Sequence, residues 1–220
     1  MVEAQHKKTT ESVVFLCHNF PMSRPSSKYD KDQTRKRLLS IRKNQSTKQQ
    51  HDKSLLITKN IATSDVFREA KHIAFYHAVR GEADPSALAT LINANSKQFY
   101  LPLLSNNKDQ GLVFAPINKD THYKNNQFSI PEPIFNKEDL INASNLDLVI
   151  MPLLGFDQYG NRLGMGGGYY DRCFSFKKKK TKKPLLFGFA FDFQEISAIH
   201  NEPWDIPLDR LATESRVIMF

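Results

Sequence analysis

The 220 residues predict a three-layer α/β sandwich around a mostly parallel central sheet, and three observations carry that expectation. Short apolar runs bounded by turn residues alternate with stretches of helical composition, which is the pattern of strand, helix, strand crossovers. Two runs, 147–151 and 185–191, are apolar almost without interruption, as strands buried on both faces must be. A glycine cluster follows the first of them, at the carboxyl end of a strand, where Rossmann-like sheets bind their ligands.

Taken in chain order, residues 1–27 read as a disordered N-terminal extension and 28–220 as a single domain. Residues 29 to about 50 combine Lys, Arg, Gln and Leu without proline or glycine and predict a helix; 54–71 predict a second. Residues 73–76 form the first strand. Asp84 then caps a helix that has Pro85 at its first position and 87–94 within it, and 99–101 give the next strand, so the crossover is parallel. Strands at 112–115 and 147–151 follow. Residues 169–174 open a helix behind the glycines, 185–191 return as a buried strand, and the alternating 210–220 closes a sheet edge. Trp204 and the many phenylalanines are assigned to the core.

Composition excludes several functions. Hydrophobic residues at 40% and charged residues at 25% are ordinary for a soluble globular protein. The net charge of +8 suggests nucleic acid until it is located: lysines 177–180, 182 and 183 supply six of the charges, and subtracting them leaves +2. That run reads as a solvated loop. Cys17 and Cys173 lie far apart without metal-ligand spacing, which fits a reducing compartment. The only apolar run near the start, Val13 to Leu16, is too short for a signal segment or a membrane span. A cytoplasmic monomer with neither nucleic-acid nor membrane partners is expected.

Six of the nine glycines fall between 155 and 168, within MPLLGFDQYGNRLGMGGGYYDR. Glycine reaches positive φ without steric penalty and lets successive N–H groups face an anion closely, so Gly164, Gly166, Gly167 and Gly168 can form a concave donor cradle between a strand and a helix. The spacing departs from both the P-loop and the dinucleotide fingerprint. A ligand-free glycine turn is the plain alternative, weakened by Arg162 before the loop and by Asp171 and Arg172 after it.

With these residues in view, the chain resembles the 5-formyltetrahydrofolate cyclo-ligase family, also called methenyltetrahydrofolate synthetases. MPLLGFD and GNRLGMGGGYYDR resemble its signature. Lys31 and Arg35 followed by Ser46 resemble its N-terminal helix, Tyr76 to Glu82 its first strand and substrate turn, Phe128 to Pro133 its Pro-Glu-Pro loop, and Asp205-Ile-Pro-Leu-Asp209 its late acidic pair. The resemblance spans roughly 28–216. It implies ATP- and Mg²⁺-dependent closure of 5-formyltetrahydrofolate to 5,10-methenyltetrahydrofolate with release of ADP and phosphate, through phosphorylation of the formyl oxygen. It implies no covalent nucleophile or catalytic triad, because phosphoryl transfer mainly needs positioning and charge neutralisation.

By the same resemblance, Lys31, Arg35, Arg162, Leu163, Gly164, Met165, Gly166, Gly167, Gly168, Tyr169 and Tyr170 contact ATP. His77, Glu82, Met165, Gly166, Gly167, Gly168 and Tyr169 face the formyl-folate, and Asp171 and Asp209 are associated with Mg²⁺. Lys31, Arg35 and Arg42, at i, i+4 and i+11, project from one helical face, where a solvated basic face is the plain alternative; whether Arg42 joins the ATP contacts stays open. Taken alone, Asp171 reads as a helix cap, Asp209 as a surface turn residue, and His77 as a packed strand-end histidine. Met165 stands where the family varies and sometimes carries a basic residue, Ile41 stands where members often have arginine, and the segment before Lys28 has no family counterpart. The alternative from another class is a non-catalytic nucleotide- or RNA-binding relative of the same fold; such a relic is expected to have lost Lys31, Arg35, Asp171 or Asp209, and all four are present.

Overall fold

The computed structural model describes residues 28–90, 97–105, 107, 109–126, 129–179 and 181–220. The extension expected at 1–27, the end of the helix expected at 87–94, Phe128 and Lys180 lie outside them.

Helix α1 (Lys28–Lys43) leads to α2 (Thr47–Ala62) and a short α3 (Asp65–Glu69). The chain thus breaks at 44–46 and at 63–64, which differs from the two helices expected at 29–50 and 54–71. The cause is side-chain capping. Ser46 Oγ accepts from the Gln49 amide and Gln49 Oε1 accepts from the Ser46 amide, a reciprocal box that starts α2. Ser64 Oγ likewise accepts from the Phe67 amide to start α3.

The strands are β1 (His72–Ala74), β2 (Gln98–Leu104), β3 (Leu112–Ile117), β4 (Tyr123–Asn125), β5 (Pro131–Pro133), β6 (Leu148–Met151), β7 (Gly155–Phe156), β8 (Arg162–Leu163), β9 (Leu185–Phe189), β10 (Arg210–Ala212) and β11 (Val217–Met219). A seven-stranded sheet runs β11-β10-β9-β6-β1-β2-β3. Its five inner strands are parallel; β3 and β11 are antiparallel edges. Two small ribbons, β4-β5 and β7-β8, stand apart. The predicted helix after Asp84 begins as a 3₁₀ turn, Ser86–Ala89, with Asp84 Oδ1 accepting from the Ser86 amide.

Alternate residues of each inner strand pack on opposite faces, which makes the three layers. Leu148 and Ile150 of β6, with Ile73, Phe99, Leu101, Phe187 and Phe189, pack under Ile57, Ile61 and Phe67 of α2 and α3. Val149 and Met151, with Ala74, Tyr100 and Leu186, pack against Phe174 and Cys173 at the end of α4 (Tyr169–Cys173). Trp204, expected in the core, is instead 61% exposed. Among the described residues no helix is long and apolar enough to cross a membrane.

Among its described residues the lysine run is exposed, as its charge suggests, except at Lys177. Lys177 donates to the Pro184 carbonyl and pairs with Asp209, Lys178 donates to the Pro203 carbonyl, and Lys183 pairs with Asp147. Lys177 is drawn in beside Asp209 at the amino end of β9, while Lys178, Lys179, Lys182 and Lys183 remain exposed.

Candidate active site

Helix α1 reaches the site through one face. Leu38 is fully buried with Leu154, Leu163 and Ile199, and it lies so close to β7 that a Cβ on Gly155 would come within 2.9 Å of Leu38 Cδ1. Lys31, Arg35 and Arg42 stand at i−7, i−3 and i+4 from Leu38, so burying that leucine turns all three cations inward. Their side chains are 15, 21 and 2% exposed, against the solvated face that charge alone suggests.

Each cation meets a different part of the site. Lys31 Nζ lies 3.6 Å from Asp205 Oδ2 and 3.9 Å from Glu202 Oε1. Arg35 Nε donates to the Gly164 carbonyl at 2.9 Å, and its guanidinium reaches over Gly166. Arg42 Nη1 lies 3.7 Å from Glu82 Oε1.

The glycine loop is open. Gly164 to Gly167 are exposed, and a Cβ placed on Gly164 would meet nothing within 4 Å. Packing therefore does not demand glycine there, whereas close approach of a ligand to backbone N–H groups does. Gly166 and Gly168 hold φ of +97° and +63°, which turns the loop into α4. Arg172 donates to the Gly167 carbonyl and stacks over the Tyr169 ring, bracing the far side. Met165 is half exposed. Leu163 is a core side chain paired through β7-β8, so only its backbone can serve a nucleotide.

Before the loop, the fully buried Asp157 accepts from the amides of Tyr159, Asn161 and Ile199 and from the Asn161 side chain. This carboxylate shapes the turn that delivers Arg162, a role that sequence reading passed over although the Asp-x-x-Gly spacing signals an Asx turn.

Arg162 is almost buried; it donates to the Ile206 carbonyl at 2.6 Å and to Asp171 Oδ1 at 2.8 Å. Burial pushes its guanidinium below the usual arginine range, while Asp171 and Asp205 pull the other way. Asp171 Oδ1 also accepts from the Ile206 amide, which places the neighbouring Asp205 on the same side of the sheet. Asp209 is elsewhere. Its Oδ2 accepts from the Leu186 amide at 2.7 Å and pairs with Lys177, at the amino end of β9. The structure thus gathers Lys31, Arg35, Arg162, Asp171 and Asp205, and leaves Asp209 out. Asp205 stands in the same Asp-Ile-Pro-Leu-Asp stretch, but spacing gives no way to choose between its two aspartates.

Two carboxylates suit a particular kind of cation. Among the described residues no group of three or more His, Cys, Asp or Glu side chains forms a metal cage, and Mg²⁺ beside phosphates commonly takes only one or two carboxylates and fills its shell with phosphate and water. Asp171 and Asp205 fit that mode.

Glu82 lies in the turn after β1. Its Oε2 accepts from the Val79 amide, and burial pushes its carboxyl above the ordinary range, against the pull of that hydrogen bond, Arg42 and Arg80. Tyr76 is buried and Tyr170 half-buried beside it, their phenols pushed up by desolvation and by the Glu82 charge. Tyr170 also stacks on Phe174. His77 packs edge-on to Tyr123; its buried Nε2 has no hydrogen-bond partner, and desolvation lowers its basicity although Asp84 opposes this.

A model of the 5-formyltetrahydrofolate cyclo-ligase family matches residues 27–214. The chain is 36% identical over 178 residues to a 5-formyltetrahydrofolate cyclo-ligase of Haemophilus influenzae, covering 81% of this chain and 94% of that one. It is 35% identical over 148 residues to the enzyme of the same name from Escherichia coli, covering 67% and 80%. Its fold superposes on the NMR structure of Aquifex aeolicus 5,10-methenyltetrahydrofolate synthetase with a TM-score of 0.69 at 29% identity, covering 86% of this chain and 92% of the other.

Proposed function

Because the chain belongs to the 5-formyltetrahydrofolate cyclo-ligase family, we propose that it converts 5-formyltetrahydrofolate and ATP into 5,10-methenyltetrahydrofolate, ADP and phosphate at the carboxyl edge of its sheet. The protein is a ligase of folate one-carbon metabolism. The observation that supports the finer reading is that a single helix face touches both halves of the site: Arg35 holds the open glycine loop and Arg42 faces Glu82.

A formamide oxygen is a poor leaving group. In the proposed reaction that oxygen attacks the γ-phosphorus and the bond to ADP breaks, giving an iminium phosphate. The 10-nitrogen of the folate then attacks the formyl carbon, its proton is lost, and the oxygen departs with phosphate. The protein's contribution is placement and charge. Backbone N–H groups from Leu163 through Gly168 to Tyr169 and Tyr170 cradle the phosphates, while Lys31, Arg35 and Arg162 neutralise them. Glu82 accepts hydrogen bonds from pterin N–H groups, the free His77 Nε2 contacts the same substrate, and Met165 to Tyr169 face the formyl group. Asp171 and Asp205 hold Mg²⁺, which when bound offsets negative charge on the phosphates. The working unit is a cytoplasmic monomer.

Purified protein given 5-formyltetrahydrofolate, Mg²⁺ and ATP should accumulate the ultraviolet-absorbing methenyl product, and only with ATP present. Both Arg35→Ala and Asp171→Ala should be severely impaired; unchanged rates in both would overturn the site.

A further inference from the structure

Arg42 has no role in the reading above beyond facing Glu82, yet its setting is unusual. It is 1% exposed, its Nε has no hydrogen-bond partner, and its Nη1 stands 3.7 Å from Glu82 Oε1, in ion-pair range. The turn that carries Glu82 is folded onto this guanidinium. Arg80 and Gly81 both take positive φ, and a Cβ on Gly81 would come within 2.9 Å of Gln50 Nε2 and 3.6 Å of Arg42 Cγ. Gln50 in turn donates to the Arg42 and Gln45 carbonyls, locking the α1–α2 corner beneath the turn. A buried, under-bonded guanidinium is unfavourable for stability alone.

We propose that Arg42 is a positioning residue for folate recognition, holding the Glu82 carboxylate ionised and aimed at the pterin from the same helix that contacts the nucleotide. This rests on the assignment of Glu82 to the folate. Glu82 Oε2 is committed to the Val79 amide, so Oε1, the oxygen nearer Arg42, remains for a ligand. The charged and titratable groups around Glu82 are Arg42 from α1, Arg80 from its own turn, Tyr76 after β1 and Tyr170 from α4. Burial favours the protonated acid, and the Val79 amide, Arg42 and Arg80 oppose it. A protonated Glu82 loses acceptor capacity towards the pterin N–H groups.

The test is direct binding of 5-formyltetrahydrofolate and of ATP to wild type, Arg42→Met, Arg42→Lys, Glu82→Gln and the double variants, across neutral to alkaline pH. Arg42→Met should weaken folate binding at neutral pH about 10- to 100-fold, the range for a lost hydrogen bond to a charged group, and leave ATP binding close to wild type. The defect should shrink as pH rises and Glu82 ionises, while wild type stays flat. Arg42→Lys should stay within about threefold of wild type, since one ion-paired contact does not need the guanidinium fork. In a Glu82→Gln background, either Arg42 change should add nothing. Folate and ATP affinities falling together, a folate defect independent of pH, or full additivity with Glu82→Gln would overturn the proposal. If Arg42→Met does not fold, Arg42→Gln, which also removes the charge but keeps a polar side chain, takes its place in the cycle with Glu82→Gln and is read by the same criterion. Glu82→Gln binding folate like wild type would sink the underlying assignment instead.

Discussion

The two ends of the parallel strands differ in how far their polar groups are satisfied. At the amino end, Asp147 takes the Lys71 and His72 amides and Lys183, and Asp209 takes the Leu186 amide and Lys177. These carboxylates are saturated by neighbours that belong to the fold. At the carboxyl end the carboxylates are held too, Asp205 by the Glu202 amide and Lys31 and Asp171 by Arg162 and the Ile206 amide, but Arg42 Nε and His77 Nε2 have no partner and the glycine loop opens outward. Satisfied polar groups hold a structure together, whereas under-satisfied ones beside open backbone await a ligand.

The largest effect should come from the carboxyl end. Arg35→Ala should lower kcat/KM by about 10²- to 10³-fold, as expected for removal of one preorganised donor, with little change in Tm because that side chain is partly exposed. A comparable loss of stability instead would blur the division between the two ends. The two late aspartates offer a sharper contrast. Asp205→Asn should reduce turnover about tenfold or more while thermal stability holds, and Asp209→Asn should do the reverse, losing about 1–3 kcal/mol of stability through its orphaned partners and keeping kcat. Loss of Mg²⁺ dependence in Asp209→Asn rather than Asp205→Asn would restore the assignment that the motif first suggested.

Gly164→Ala discriminates within the loop. No atom lies where its methyl would go and Gly164 has no positive φ, so Tm should not move, while KM for ATP should rise. The smallest effect is one of pH at the amino end. Burial would raise the Asp147 carboxyl, but Lys183 and the His72 and Lys71 amides outweigh it and bring it down to about 2, from the ordinary aspartate value of 3.8. A depressed folded value means that stability is present above the unfolded value and is lost as pH falls from about 4 towards about 2. Denaturant titrations should therefore show Asp147→Asn less stable than wild type at neutral pH, with the gap closing over that acid window.

Much of this was legible in advance because it depends on local chemistry. The apolar runs at 147–151 and 185–191 became β6 and β9, with residues alternating between two core faces, and the parallel centre and the closing edge strand stand where periodicity put them. Helix boundaries were less legible: a composition free of proline and glycine says nothing of Ser46 and Ser64, whose hydroxyls end one helix and start the next. Trp204 shows the limit of assigning large apolar residues inward, for it sits exposed between Pro203, held by Lys178, and Asp205, facing Lys31.

By itself the sequence determined the layer architecture, the open glycine turn and the family, since period, backbone freedom and motif spacing are properties of neighbouring residues. Tertiary structure alone decided which charges meet. Arg42 meets Glu82 forty residues away because Leu38 must be buried against the β7-β8 ribbon, and Asp205 rather than Asp209 joins Asp171 because the Ile206 amide docks there. Long-range pairing follows from which face is buried and which register is adopted, and neither is written in the spacing of a motif.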